Sequence, residues 1–530
     1  MAAVRWLGRN RVALALGLVA ALPVILSVLR EMGDFVPVGD RATIALRSYD
    51  VLSSHPPLLG QYSAASQVLA EQSYSLGPLL YWLLALPSRV SDPAAFVFTM
   101  GLVNVAAVMG SVALALRRGG VVFAALVSFA FVVMLSSLPA PIYSDIWNPS
   151  AGHLPLTLLI FLTWSLACGE YRLLPLAVLV ASFVMQCHLA FVPPALGLMG
   201  VGLVGVWRAR SPVGLRRWVV AACVVGVVCW SAPVVEQIAH RPGNVVALAR
   251  TAGAGVPTLG VDIGWRALAW TVGVPPWWTQ VPDSASERLS DLAKPAGLVR
   301  SVSAALVLAA LVAVVVLGRR RGRRDVVAAG ALGLVLCLAI AFVASSTPAP
   351  GLLGLSIGYT LWWGSPSGMF VWLVLAWSAG MLWPRRVPRP ALAGAAALAV
   401  SVAAVWLVRA GAGENLQQPT YEPMRTIAGR LERAVPPHTS VLVESTHREA
   451  NFNAEFDFET GSAYVLRRNG VDVLSRRGKA FGSSYDLDGH RPDATLRVSV
   501  DPAPVTRPGR LISRLPVGDQ FVTVTLLPAR

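Results

Sequence analysis

Charge is scarce in this 530-residue sequence: Asp, Glu, Lys and Arg together make up only 14% of it, against 55% hydrophobic residues and a mean hydropathy of +0.60. A chain of this size with so little charge is too apolar to be a soluble globular protein. Cysteine is scarce as well. All five (Cys168, Cys187, Cys223, Cys229 and Cys337) lie in or at the ends of hydrophobic segments, which excludes a disulfide framework and a zinc-type spacing. Also missing are a Walker sequence, a Gly-x-Ser-x-Gly elbow and a His-Glu-x-x-His pair. Gly253-Ala254-Gly255 lacks the strand-turn-helix context of a dinucleotide site. No repeat of solenoid length and no clear inverted duplication is present.

What is abundant is apolar sequence in long runs. Segments near the ~20 residues that cross a hydrocarbon layer recur at 12–29, 94–116, 121–138, 151–168, 173–186, 190–206, 219–235, 298–317, 326–344, 369–383 and 391–408, about eleven in all. The formal charge of +16 does not mark a nucleic-acid face, because the basic residues fall in short clusters between these runs. The clusters are Arg5, Arg9 and Arg11; Arg117 and Arg118; Arg208, Arg210, Arg216 and Arg217; Arg319 to Arg324; and Arg385 to Arg389. With a cytoplasmic N-terminus, every cluster falls on the inner side, as the positive-inside rule requires. The C-terminus then lies outside. Residues 76–86 and 352–363 are short for a crossing and are expected to be juxtamembrane or re-entrant helices. The first span is too long for a signal peptide and lacks a small-residue cleavage pattern, so it reads as an uncleaved anchor.

The expected architecture is therefore a polytopic α-helical membrane domain over residues 1–410 and a soluble extracytoplasmic α/β domain over 411–530. Outer loops at 30–93 and 236–297 face the same side as that domain. In the tail, Met424, Ile427, Leu431 and Ala434 share one helical face, and 440–443, 471–474, 495–500 and 521–526 read as strands.

Polar residues that could carry chemistry gather on the outer side. Asp40, in Phe35-Val36-Pro37-Val38-Gly39-Asp40-Arg41, follows the first span. A carboxylate there can serve as a general base, a role worth about 10²–10⁴ in rate, although Asp34 and Asp50 are equal rivals by position. Asp145, Asn148 and His153 sit on a short outer loop. Gln186 and His188 sit at the end of a span, where polar groups are costly and tend to line a cavity, with surface snorkelling as the rival reading. Glu236 and Gln237 follow Pro233 and are either site residues or loop anchors. Pro275-Pro276-Trp277-Trp278 and Trp362-Trp363 suit an interfacial aromatic belt.

Taken together, the first-loop Asp40, His55-Pro56-Pro57-Leu58, Gly77-Pro78-Leu79-Leu80-Tyr81-Trp82, Trp147-Asn148-Pro149 and Gln186-Cys187-His188 resemble the C-type (GT-C) integral-membrane glycosyltransferases. Within them the pattern is similar to bacterial relatives of protein O-mannosyltransferases and of lipid A aminoarabinose transferases. The resemblance implies a GT-C-like fold with a long first outer loop, about eleven spans and an outer C-terminal domain. It implies transfer of a sugar from a polyprenyl-phosphate donor to an extracytoplasmic glycan, lipid or protein, with inversion and with Asp40 as the catalytic aspartate. Arg41, His55, Asp145, His153, Gln186, His188, Glu236, Arg241 and Arg250 are the expected donor phosphate and sugar contacts, with Arg47 and Lys294 behind them. Arginine suits the phosphate because its planar fork pairs with two oxygens at once. No cofactor is certain. Many relatives place two acidic residues together where this chain has Gly39-Asp40-Arg41, so a divalent metal stays open. Two other classes compete with this reading: a lipid-linked-oligosaccharide flippase or transporter, and a polysaccharide polymerase or ligase built around arginine and histidine.

Overall fold

The computed structural model describes residues 2–63, 66, 72–209, 214–281, 287–382, 417–446, 452–476, 481–487 and 489–528. The span expected at 391–408, the arginines from Arg385 to Arg389 and the change of character near Gly411 lie outside the described residues.

Among the described residues, seven helices are long and apolar enough to cross a membrane: Arg11–Glu31, Ala94–Ser136, Asn148–Ala167, Leu189–Arg208, Leu215–Ala239, Leu298–Arg320 and Arg324–Ser346. Tyr171–Cys187 is a shorter apolar helix, and Gly364–Leu382 packs on Arg324–Ser346. Leu, Val and Ala stay exposed along the outer helices, as at Leu203, Val227, Leu306 and Leu338, which is the pattern expected where the solvent is lipid.

Ala94–Ser136 is the one helix that contains two of the expected spans. Its 43 residues are helical on both sides of Gly120 but not through it, since Gly120 has φ 72° and ψ −167°. Residues 110 and 131 would stand about 30 Å apart in a continuous helix. Instead both meet one short stretch of Asn148–Ala167: a β-carbon on Gly110 would sit 3.0 Å from Leu158, while Phe131 stacks with Phe161 at 6.5 Å and Phe123 meets Trp164 at 5.7 Å. The two legs therefore lie side by side, joined at Arg117-Arg118-Gly119-Gly120. The Gly120 backbone falls where essentially only glycine is tolerated, so Gly120→Val is expected to cost about 1–3 kcal/mol. Thermal unfolding in detergent checks this, with Gly200→Ala as control because nothing lies within 4 Å of its β-position.

The segment that follows the first apolar helix is an ordered part of the core. It carries the helix Gly39–Asp50, whose Ala42, Ile44, Ala45 and Leu46 are fully buried, and the six-residue helix Leu79–Leu84. Between them the backbone folds back, with Ser75 N–H donating to the Gln61 carbonyl at 2.8 Å and Tyr62 bridging Tyr74. The expected short helices at 76–86 and 352–363 appear as Leu79–Leu84 and Gly351–Thr360.

The tail forms a five-stranded mixed sheet from β1 (Ser440–Ser445), β2 (Asp472–Ser475), β3 (Ala494–Asp501), β4 (Arg510–Val517) and β5 (Gln520–Pro528). The order is β2-β1-β3-β5-β4, with β1 parallel to β2 and β3, and β5 antiparallel to β3 and β4. Helices Gln418–Ala434 and Phe452–Arg468 accompany the sheet, the first burying Tyr421, Met424, Ile427 and Leu431. Four strands and the first helix match the expected pattern. β4 and Phe452–Arg468 are additional.

The second of these helices docks the tail onto the segment after the first apolar helix by packing along Gly39–Asp50. Asp50, nearly inaccessible, accepts from the Tyr485 hydroxyl at 2.6 Å and pairs with Arg47 at 3.2 Å and Arg467 at 3.3 Å. Phe35 meets Tyr421 and Phe96 meets Tyr464, both edge-on.

Candidate functional site

Gly39 opens the Gly39–Asp50 helix with φ +57°, after Val38 has crossed a buried position in an extended conformation. A β-carbon at residue 39 would collide with the carboxylate of Asp457, so both the backbone and the neighbour require glycine. Asp40 then falls in the first helical turn, where the unpaired N–H groups of the helix end favour a negative charge.

Two neutral donors hold the Asp40 carboxylate. Gln61 Nε2 donates to Oδ1 at 3.2 Å and Trp147 Nε1 donates to Oδ2 at 3.0 Å. Gln61 is oriented in turn by the Tyr81 hydroxyl, which donates to its Oε1 at 3.1 Å and so turns the amide nitrogen toward Asp40. Burial pushes the Tyr81 phenol well up, keeping it a proton donor at neutral pH. Trp147 is held by its own backbone N–H, which donates to Asp145 Oδ1 at 2.9 Å, and by its ring, which lies 4.7 Å from Tyr359 and 6.1 Å from Trp362.

The neighbouring cation is engaged elsewhere. Arg41 grips Asp145 with both arms of its fork, Nε to Oδ1 at 2.8 Å and Nη2 to Oδ2 at 2.5 Å, and lies 5.4 Å from the Trp147 ring centre. Burial works against the charge on Arg41, but Asp145, with Tyr421 and Asp40, outweighs it and raises the guanidinium above its ordinary value. Ser150 completes the shell of Asp145 at 3.2 Å. Asp145 therefore fixes Arg41 and Trp147 in place. Among the described residues, Asp40 has no ion-pair partner within contact distance. Its rivals separate clearly from it, since Asp34 is exposed and Asp50 is locked among Arg47, Arg467 and Tyr485.

Most of the other expected contacts hold the scaffold together. Gln186 bridges segments, accepting from Leu79 N–H at 3.2 Å and donating to the Cys229 carbonyl at 2.8 Å. His188 accepts from Ala190 N–H at 3.2 Å, and burial pushes its imidazole down to about 4. Glu236 accepts from Asn244 N–H with both oxygens, and Gln237 accepts from Val245 N–H at 2.9 Å. Asn244 brackets Tyr74 through that residue's N–H and carbonyl, so this pair anchors a loop. His153 Nδ1 meets the Ser150 carbonyl, and its ring lies 6.1 Å from Trp362. Asn148 donates to the Cys187 carbonyl at 3.0 Å.

His55 is exposed and bonded to Ser54. Arg241, Arg250 and Lys294 are exposed on the segments between Leu215–Ala239 and Leu298–Arg320, while Arg47 is joined to Asp50 and Ser484. Among the described residues, no group of three or more His, Cys, Asp or Glu side chains is placed to hold a metal ion. Gln61, Tyr359 and Asp457 join the site without having been singled out from the sequence. Trp147 and Tyr81 did carry a signal, as members of the motif segments.

Trp147→Phe tests the donor on Oδ2, because it keeps the ring against Tyr359 and removes only the N–H. Loss of one hydrogen bond to a charged group is expected to lower any Asp40-dependent activity about tenfold; a wild-type rate in this variant would show the bond to be incidental. Compared with protein-family models and with curated proteins, the sequence matches none at a significant level.

Proposed function

We propose that the chain is an integral-membrane glycosyltransferase of C-type architecture. In this reading about eleven spans place the N-terminus in the cytoplasm and the C-terminal domain outside. The enzyme moves a sugar from a polyprenyl-phosphate donor to an extracytoplasmic acceptor in the cell envelope. Asp40 is the general base. It takes the proton of an acceptor hydroxyl as that oxygen bonds to the anomeric carbon, while the bond from the same carbon to the phosphate oxygen breaks and its electron pair leaves with the phosphate. Attack on the face opposite the phosphate inverts the configuration.

One observation carries this reading. The half-buried Asp40 carboxylate stands in a helical first turn shortly after the first apolar helix, held by Gln61 and Trp147. These neutral donors orient a base without occupying it as a fixed cation would, and the nearest guanidinium is committed to Asp145. The departing phosphate calls for cations, and exposed Arg241, Arg250 and Lys294 on the outer loops have suitable chemistry. A flippase would favour charges at mid-membrane, whereas Asp40 and Asp145 lie outside the long apolar helices.

Mass spectrometry of envelope glycans from cells with and without the gene tests the reading. Loss of one sugar constituent, with accumulation of its polyprenyl-phosphate donor, is expected. Identical glycans and donor pools would overturn it.

A further inference from the structure

The Asp40 site contains a second carboxyl group that arrives from the other end of the chain. Asp457 lies on Phe452–Arg468, the helix that packs along Gly39–Asp50, and its Oδ1 rests on the backbone of Gly39, the residue before Asp40. Gly39 has no side chain to block this approach. Asp457 is half-buried, and among the described residues no donor reaches its carboxylate. The nearby cation, Arg41, has both arms on Asp145.

We propose that Asp457 is an acceptor-binding residue: its carboxyl, delivered by the C-terminal domain beside Asp40, hydrogen-bonds a hydroxyl of a glycan acceptor next to the hydroxyl that reacts. This rests on the reading of Asp40 as the base of a sugar transfer.

The chemistry of the partner follows from the surroundings. The groups facing Asp457 are Asp40 and Arg41 on the Gly39–Asp50 helix, with Tyr421 of Gln418–Ala434 acting on the same Arg41. Burial, opposed by Arg41 and reinforced by Asp40, pushes the Asp457 carboxyl up to about 7, so near neutral pH it exists both with and without its proton. A ligand that suits both forms must accept and donate, and a hydroxyl does both. A phosphate headgroup or a carboxylate would instead meet two acids. A polyhydroxylated acceptor is favoured, with one hydroxyl on Asp40 and its neighbour on Asp457.

Full-length wild type, Asp457→Asn and Asp457→Leu are compared in membrane vesicles from cells lacking the gene, using the endogenous donor and acceptor, over about pH 5 to 9. Asp457→Leu, which removes every hydrogen-bonding atom of the side-chain terminus, is expected to lower transfer about tenfold, read chiefly as a raised KM for the acceptor, and Asp457→Asn, which keeps a donor and an acceptor, is expected to recover part of that loss. A hydroxyl serves both forms of Asp457, so wild type and the Asn variant are expected to show the same pH profile through about 7.

Thermal unfolding gives a readout that needs no substrate. A carboxyl with a folded value near 7 and an ordinary value of 3.8 binds more protons folded than unfolded between those limits. It therefore makes stability fall as pH rises from about 4 to about 7, and both variants should flatten that slope. An unchanged slope, or equal transfer by the Leu and Asn variants, would overturn the assignment. Failure of the wild type to transfer any sugar would overturn the glycosyltransferase reading itself.

Discussion

Replacing Asp40 by Asn is expected to lower sugar transfer by about 100-fold or more, with membrane insertion and thermal stability close to wild type. Asn has the shape of Asp and can still accept from either Gln61 or Trp147, whose donors now face one oxygen rather than two. What it cannot do is take the acceptor proton. The structural loss is about one hydrogen bond on a half-buried group, on the order of 1 kcal/mol, too little to unfold the chain. Cells lacking the gene and carrying the variant provide the measurement, read as sugar added per acceptor over time beside protein level in the membrane. Near-normal addition by a well-inserted variant would remove Asp40 as the base.

Asp50→Ala is expected to have the largest effect on stability. Asp50 is the shared acceptor of Arg47, Arg467 and the Tyr485 hydroxyl, and its side chain is 2% exposed. Deleting it leaves two guanidinium groups and a phenol facing one another across the seam between the Gly39–Asp50 helix and the C-terminal domain. Breaking a buried charged cluster in this way costs about 3–5 kcal/mol, with the lower end expected because both arginines keep some contact with solvent. The loss should show as a lower Tm in detergent and as faster proteolysis of the C-terminal domain. Transfer should fall too, since Asp457 is carried on the helix that the seam holds in place. Tyr485→Phe, which removes one of the three partners, should cost only about 1–2 kcal/mol. An unchanged Tm and cleavage pattern in Asp50→Ala would mean that other contacts carry the docking.

What could be read from the sequence follows from which interactions are local. Hydropathy located the apolar helices because lipid imposes the same demand on every residue of a span. It even separated 94–116 from 121–138, which the backbone joins into one helical stretch bent at Gly120. In the tail, alternating Val and Leu marked β1, β2, β3 and β5. β4 escaped because it is an edge strand containing Arg514 and Pro516, a composition tolerated only at an edge. Phe452–Arg468 escaped because it has Gly461 in its interior, a residue that disfavours helix but lets Met424 pack closely.

At the site, position and motif singled out Asp40. Its separation from Asp34 and Asp50 became visible only with the hydrogen bonds, because all three are acidic residues of one short segment. Arg41 and Asp145 both suggested ligand contacts, and each proves to be the other's partner. Glu236, Gln186 and His188 illustrate the same limit: a polar group at the end of a span is costly whether it meets a substrate or a backbone N–H, and here the backbone meets it. Asp457 had no local signal at all, since its proximity to Asp40 depends on docking between distant parts of the chain.

Donor consumption in proteoliposomes isolates the chemical step from everything upstream of it. Full-length wild type and Asp40→Asn are reconstituted with the lipid extract and the cell-envelope fraction of cells lacking the gene, as sources of the polyprenyl-phosphate sugar and of its acceptor. With Asp40 as the base, the wild type consumes the donor and releases polyprenyl phosphate, and the variant retains the donor without consuming it. Equal consumption by both proteins, or by neither, would contradict it.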